Sequence, residues 1–225
     1  MPAVRPGMVV DHRSTDTYVV MKSTCFKVIL FDLGGVLVEL DKPSDKTAWF
    51  DPRLSARENW DQWLTSPHAQ AFERGEISPT DFATRFIADN DVNLTPDELI
   101  SLYQDWVLGF FPGVFPLLHN LKQHYSLSVF SNITEVHWPE IYEELRSQQC
   151  FEHYFASYLI GKAKPDPSAF RYVAKQMRVD PTEVLFVDDN EINVCGAREA
   201  GMTADVVQGF TDLESVLSRH DVVLR

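Results

Sequence analysis

Cysteine is scarce in this chain, with Cys25, Cys150 and Cys195 as its three. An odd and scattered set builds no disulfide framework and has no zinc-ligand spacing, so it suits reduced thiols in a cytoplasm. Long apolar runs are lacking as well. None approaches the roughly 20 residues that span a bilayer, and the first 25 residues carry no signal-peptide pattern. Basic charge is short: 20 Lys and Arg stand against 33 Asp and Glu, a formal net charge of −13. Such a surface repels nucleic acid and anionic membranes, and neither is expected as a partner. There is no internal repeat or low-complexity tract.

What is present is apolar content, 44% of 225 residues, enough to bury the core of one α/β domain with a sizeable insertion. Residues 1–25 read as an N-terminal extension, flexible over much of its length. From Lys27 onward the periodicity switches repeatedly between strand and helix, as in a parallel sheet with crossover helices. Val28 to Phe31, Leu127 to Phe130, Val184 to Val187 and Ala204 to Val207 read as buried strands. Val114, Leu117, Leu118 and Leu121 recur at helical spacing, as do Phe170, Val173, Ala174 and Met177. The expected fold is an α/β, Rossmann-like parallel sheet.

Between about Asp41 and Phe111 helical patterns occur with no good strand candidate, so this stretch reads as an all-helical insertion. Thr95, Pro96 and Glu98 form a helix start with a capping box, and Ser78, Pro79 and Asp81 repeat the signal. Trp60, Trp63 and Leu64 mark a further helix. Its aromatic residues read as the core of a small bundle.

In open parallel sheets the ligand crevice lies beyond the carboxyl ends of the strands. Four polar sets sit there: Asp32 before Leu33-Gly34-Gly35, Ser131-Asn132, Lys164 in a Lys-Pro-Asp-Pro stretch, and Asp188-Asp189-Asn190. Singly, Asp32 could open a turn and Ser131-Asn132 could cap a helix. Together, Asp32 and the Asp188-Asp189 pair would crowd like charges unless a cation neutralised them. Mg2+, with its demand for hard oxygen ligands and its affinity for phosphate, answers that need. Lys164 supplies a positive charge for a phosphoryl group and Ser131 a hydrogen bond, while Asp166 and Pro167 would start the next helix. Lys162 is the nearby alternative lysine.

This constellation resembles the haloacid dehalogenase-like superfamily from about Lys27 to Phe210. Asp32 to Leu37 match the first motif, Ser131 the second, Lys164 the third and Asp188-Asp189 the fourth. The resemblance implies that residues 26–40 and 112–225 form the core domain and 41–111 a helical cap. It implies an aspartyl-phosphate on Asp32, Asn132 beside the substrate, and metal held by Asp32, the Gly34 carbonyl, Asp189 and Asp188. Asn132 and Asn190 would orient loops, and Asn193 falls where many relatives carry an Asp that fixes the lysine. The substrate would be a small phosphorylated metabolite, a sugar phosphate above all. Oligomeric state is not readable.

One position departs from the pattern: Gly34 stands where family phosphatases carry the Asp that protonates the leaving group. General acid-base help is worth ~10²–10⁴-fold. Three readings follow: a phosphatase of the subgroup with Asp-Leu-Gly in its first motif, a silent phosphate-binding module, or a 2-haloacid dehalogenase, which needs no metal. Glu39, Asp41 or a cap residue would replace the acid. Arg53, Arg57, Arg74 and Arg85 read for the most part as solvated helix faces, any one of them a candidate for substrate contact, and Trp49 and Phe50 as lid residues.

Overall fold

An uninterrupted apolar run at the middle of the sheet explains the architecture. In the computed structural model, which describes residues 26–41 and 53–224, β1 (Val28–Phe31) is buried along its whole length. Val28 and Leu30 join one hydrophobic cluster and Ile29 and Phe31 another, on the opposite face. Such a strand must be covered on both sides, which is the position of a central strand in a parallel sheet. It pairs in parallel with β4 (Ser126–Ser131) on one side and β6 (Val184–Asp188) on the other. Beyond them lie β5 (His153–Ala156) and β7 (Thr203–Val206), giving the order β5-β4-β1-β6-β7.

One face is covered by α5 (Val114–Leu121), α6 (Trp138–Gln148) and α10 (Phe210–Arg219), through the stripes Val114-Leu117-Leu118-Leu121 and Leu213-Val216-Leu217. The other is covered by α8 (Pro167–Met177) and α9 (Glu191–Glu199), with Phe170 against both Phe130 and Phe186. Each such ring or branched side chain taken fully from water contributes roughly 1.5–3 kcal/mol. The four expected strands and both helical stripes are present within a residue or so at their ends.

The chain leaves the sheet after β1 through β2 (Val38–Leu40) and enters four helices: α1 (Ala56–Thr65), α2 (Pro67–Glu73), α3 (Pro79–Asn90) and α4 (Pro96–Gln104). Their starts are set locally. Ser66, Ser78 and Thr95 cap helices that each begin with proline, and Ser55 and Thr95 complete capping boxes with Glu58 and Glu98. Their apolar sides meet in an aromatic cluster, with Phe72 stacked on Phe82 at 4.8 Å and Trp63 on Tyr103 at 4.9 Å. These helices lie within the stretch expected to form a cap.

The stretch 41–111 is not wholly helical, however. Its last residues form β3 (Val107–Phe110), antiparallel to β2, and the pair makes a two-stranded stem where the chain leaves and returns. β3 is a short apolar run, Val-Leu-Gly-Phe, broken by Gly109; it has no buried residue and depends on β2 for its pairing. Cys25, Trp49 and Phe50 lie outside the described residues, as do the side chains of Arg57 and Trp60. Cys150 and Cys195 are free thiols. Among the described residues no helix is long and apolar enough to cross a membrane.

Candidate active site

Chain order makes the site. The sheet grows outward from β1 in both directions, so the carboxyl ends of β1, β4 and β6 lie side by side at the switch point where α/β sheets bind ligands. Asp32 continues β1, its N–H donating to the Val187 carbonyl at 2.9 Å. The turn that follows is tied down by the Leu33 carbonyl, which accepts from Leu37 and Val38 at 2.8 Å each. Gly35 takes φ +72°, and a Cβ there would run into the Asp189 carboxylate, so only glycine lets the turn approach the second strand end.

Asn132, one residue past β4, clips the third segment in place. Its Oδ1 accepts from the Lys164 N–H and its Nδ2 donates to the Lys164 carbonyl, both at 2.9 Å. Lys164 is joined to Pro165 by a cis peptide bond, and its side chain is turned inward. Its Nζ lies 2.8 Å from Asp32 Oδ1 and 2.5 Å from Asp188 Oδ2, and only 4% of the residue is exposed. Burial alone would pull the ammonium down, but Asp188 and Asp32 outweigh it and hold its pKa above the ordinary lysine value.

Asp188 is fully committed. Its Oδ1 accepts from the Asn190 N–H at 2.8 Å and Asn193 Nδ2 at 3.0 Å, and its Oδ2 from Lys164 and Asn193 Nδ2 at 3.1 Å. An ionised carboxylate has about four acceptor sites, and all are used. Asn193 therefore acts on the lysine at one remove, through Asp188. Asp32 differs: its Oδ1 is buried and, despite the nearby ammonium, has no aligned hydrogen bond. Burial raises its carboxyl from 3.8 to about 7, with Lys164 opposing and Asp188 and Asp189 adding to the rise. Oxygens of Asp32, Asp188 and Asp189 all lie within 4.8 Å of one another. Crowded carboxylates with a buried, unaligned oxygen fit a hard divalent cation.

A cavity of about 730 Å³ opens over this cluster. Asp32, Gly34, Ser131, Asn132, Lys164 and Asp189 line its sheet side, and Trp63, Glu73 and Arg74 its helical side. Of the two lysines, Lys162 also lines the cavity, with its Nζ 5.8 Å over the Tyr172 ring, whereas Lys164 is the one that pairs with the carboxylates. Asn190 caps α9 through the Ile192 N–H. Glu39 and Asp41 are exposed, and Glu39 faces a neighbouring hollow beyond Gly35. Arg53 reaches the Asp91 carboxylate at 3.6 Å, and Arg85 is exposed.

Glu73, at the end of α2, was not among the sequence candidates. It follows buried Phe72 and precedes Arg74, a neighbourhood with no chemical signature. Only the packing of α2 on α7 (Ser157–Ile160) brings it to the strand ends, where Ser157 Oγ donates to its carbonyl at 2.6 Å.

A family profile for haloacid dehalogenase-like hydrolases matches residues 26–201. The chain is 30% identical over 186 residues to D-ribitol-5-phosphate phosphatase from Bacteroides thetaiotaomicron, covering 78% of this chain and 88% of that protein. It is 29% identical over 184 residues to a sesquiterpene phosphatase from Aspergillus oryzae, covering 80% and 88%. In fold it is similar to a solved haloacid dehalogenase family enzyme from Bacteroides thetaiotaomicron in complex with magnesium and inorganic phosphate. The TM-score is 0.69 at 23% identity, over 85% of this chain and 98% of that one.

Proposed function

The chain belongs to the haloacid dehalogenase-like hydrolases, and from that premise we propose that it is a magnesium-dependent phosphatase acting on a small phosphorylated metabolite, a sugar or polyol phosphate, through an aspartyl-phosphate on Asp32. It is a phosphoric monoester hydrolase, in keeping with its family and with two relatives that are phosphatases by name. One observation carries the finer reading: a buried ammonium held between two carboxylates from different strand ends, with a third beside them.

Asp32 attacks phosphorus, and the bond to the leaving oxygen breaks on the opposite side. Lys164, pinned through Asn132 and Asp188, faces the phosphoryl oxygens and absorbs their charge, with Ser131 as a hydrogen-bond donor beside it. Asp32, the Gly34 carbonyl and Asp189 would hold the cation, and Asp188, its acceptor sites filled, would act from outside them. When bound, Mg2+ neutralises the carboxylates and polarises the phosphoryl group. The protein's net negative charge offers no long-range attraction to an anion, so capture is local, by lysine and cation. Arg74, on the cavity wall though paired with Glu76 at 2.6 Å, is the candidate contact for a distal polar group.

The test is a magnesium-supplemented screen of small phosphate esters, run beside Asp32→Asn. Turnover is expected to fall on the order of 10³-fold or more in the variant. Turnover that persists in Asp32→Asn refutes the nucleophile. Metal-independent chloride release from 2-chloropropionate refutes the phosphatase reading in favour of a dehalogenase. The silent-module reading draws on Gly34, whose missing side chain is replaced in space by Leu40. It requires that no ester be turned over at all.

A further inference from the structure

If the reaction is phosphoryl transfer, the leaving oxygen needs a proton, and β1 cannot supply it. A Cβ on Gly34 would sit 2.9 Å from Leu40 Cδ1, so a leucine methyl fills the space where an acid two residues past the nucleophile would begin. Glu39 and Asp41 are exposed, and neither is among the residues lining the cavity over Asp32. The opposite wall does offer a carboxyl. Glu73 lines the same cavity as Asp32, Ser131 and Lys164. Its position is fixed rather than incidental. Ser157 Oγ holds its carbonyl, and Gly75, at φ +68°, lets the end of α2 press against the Tyr158 carbonyl, where a Cβ would clash. Asn132 Nδ2, the group that clips Lys164, also reaches Glu73 Oε2 over a long 3.4 Å. One amide thus ties the lysine loop and the cap carboxylate together.

We propose that Glu73, reaching in from α2, is the general acid and then the general base of the reaction, filling the role that Gly34 leaves open. The inference rests on the phosphatase reading above. As Asp32 bonds to phosphorus and the ester P–O bond breaks, the electron pair stays on the leaving oxygen. That oxygen takes the Glu73 proton and departs as the alcohol. Glu73, now a carboxylate, removes a proton from water as the water oxygen attacks the aspartyl-phosphate. The bond to Asp32 breaks, inorganic phosphate leaves, and both carboxyl groups return to their starting states. Burial raises the Glu73 carboxyl from 4.5 to about 6, against Trp63, Lys164, Asn132 and Arg74, which pull it down. A value there lets one group both give and accept a proton near neutrality.

The experiment compares wild type, Glu73→Gln, Glu73→Asp and Asp32→Asn, as full-length protein with magnesium, on a polyol phosphate and on 4-nitrophenyl phosphate. Glu73→Gln keeps the size and an acceptor for Asn132, so folding is not at issue. On the polyol ester its kcat is expected to drop by ~10²–10⁴-fold. On the aryl ester, whose leaving group needs no proton, it should release a burst of one nitrophenolate per enzyme and then stall, with phosphate trapped covalently on Asp32. Partial recovery in Glu73→Asp supports proton transfer. A Glu73→Gln protein that matches wild type on the polyol ester overturns the inference. So does one that loses both substrates equally without a burst, because Glu73 then only seats the cap. If wild type turns over neither ester, or Asp32→Asn is as active as wild type, it is the phosphatase reading that falls, and the inference with it.

Discussion

On the sheet side of the cavity, Asp32, Lys164 and Asp188 are held by main chain or by an amide that main chain positions. Asp32 and Asp188 are strand residues or their direct continuation, Lys164 is clipped at both its N–H and its carbonyl, and Asp188 has each acceptor site filled. On the helical side, the wall is formed among the described residues by Trp63, Glu73 and Arg74 in front of an aromatic cluster, and the Glu73 carboxylate is placed by how α2 rests on α7 rather than by its own neighbours in sequence. The sheet side should therefore fail through charge, and the helical side through packing. Preorganised charge suits stabilising a phosphoryl group, whereas a group on a packed helix can arrive with closure of the site.

The largest expected effect breaks the sheet side. Lys164→Met strands Asp32 and Asp188 together in a buried place, and removing one member of a buried charge cluster costs about 3–5 kcal/mol. Activity should vanish with it. Because the loss is electrostatic, Mg2+ should restore part of the stability, binding the folded state alone. Thermal melts with and without the ion decide the point. A variant as stable as wild type in metal-free buffer would show that the site does not depend on charge balance.

Next is the helical side. Phe82 is fully buried, stacked on Phe72 and 5.2 Å from Trp63. Phe82→Ala should cost about 3–5 kcal/mol through the cavity it leaves. The loss should be confined to α1–α4. Hydrogen exchange reads this directly: faster exchange in those helices with unchanged protection in β1, β4 and β6 is expected. Equal loss in the sheet would make the two regions one cooperative unit and erase the comparison.

The same division explains what could be read in the sequence. A strand that ends in Asp, Ser or Asp-Asp after an apolar run announces its place, because the ends of parallel strands form one edge whatever else the chain does. Asp32, Ser131 and the Asp188-Asp189 pair were visible for that reason, Lys164 through its Lys-Pro-Asp-Pro setting in a loop beyond α7, and the helix starts at Ser78, Thr95 and Asp166 because capping is local. β5 escaped because it is a short edge strand, His153–Ala156, half covered and mixed in polarity. β3 escaped because its pairing with β2 joins residues far apart in sequence. Glu73 escaped for the deepest reason. Nothing within a turn of it differs from an ordinary helix end, and its burial and partners come from Trp63, Asn132 and Ser157, on three other elements.

The smallest effect sharpens the comparison, because it asks whether Glu73, the carboxylate among the described residues of the helical wall, obeys the rules of the sheet side. The folded-state pKa of Glu73 is about 6, above its ordinary 4.5. Between those values the folded protein binds more protons than the unfolded one. Stability from this group is therefore full below pH 4.5 and lost as pH rises through about 6. At 1.36 kcal/mol per unit, the loss is about 2 kcal/mol. Glutamine resembles the protonated form and cannot ionise. In metal-free buffer Glu73→Gln should therefore gain on wild type by up to that amount between pH 4.5 and pH 7, measured by urea unfolding at each end. Parallel stability curves would mean that Lys164 and Asn132 already neutralise the carboxylate. Glu73 would then belong electrostatically to the sheet side, and the division of labour between the two walls would fail at the residue proposed to join them.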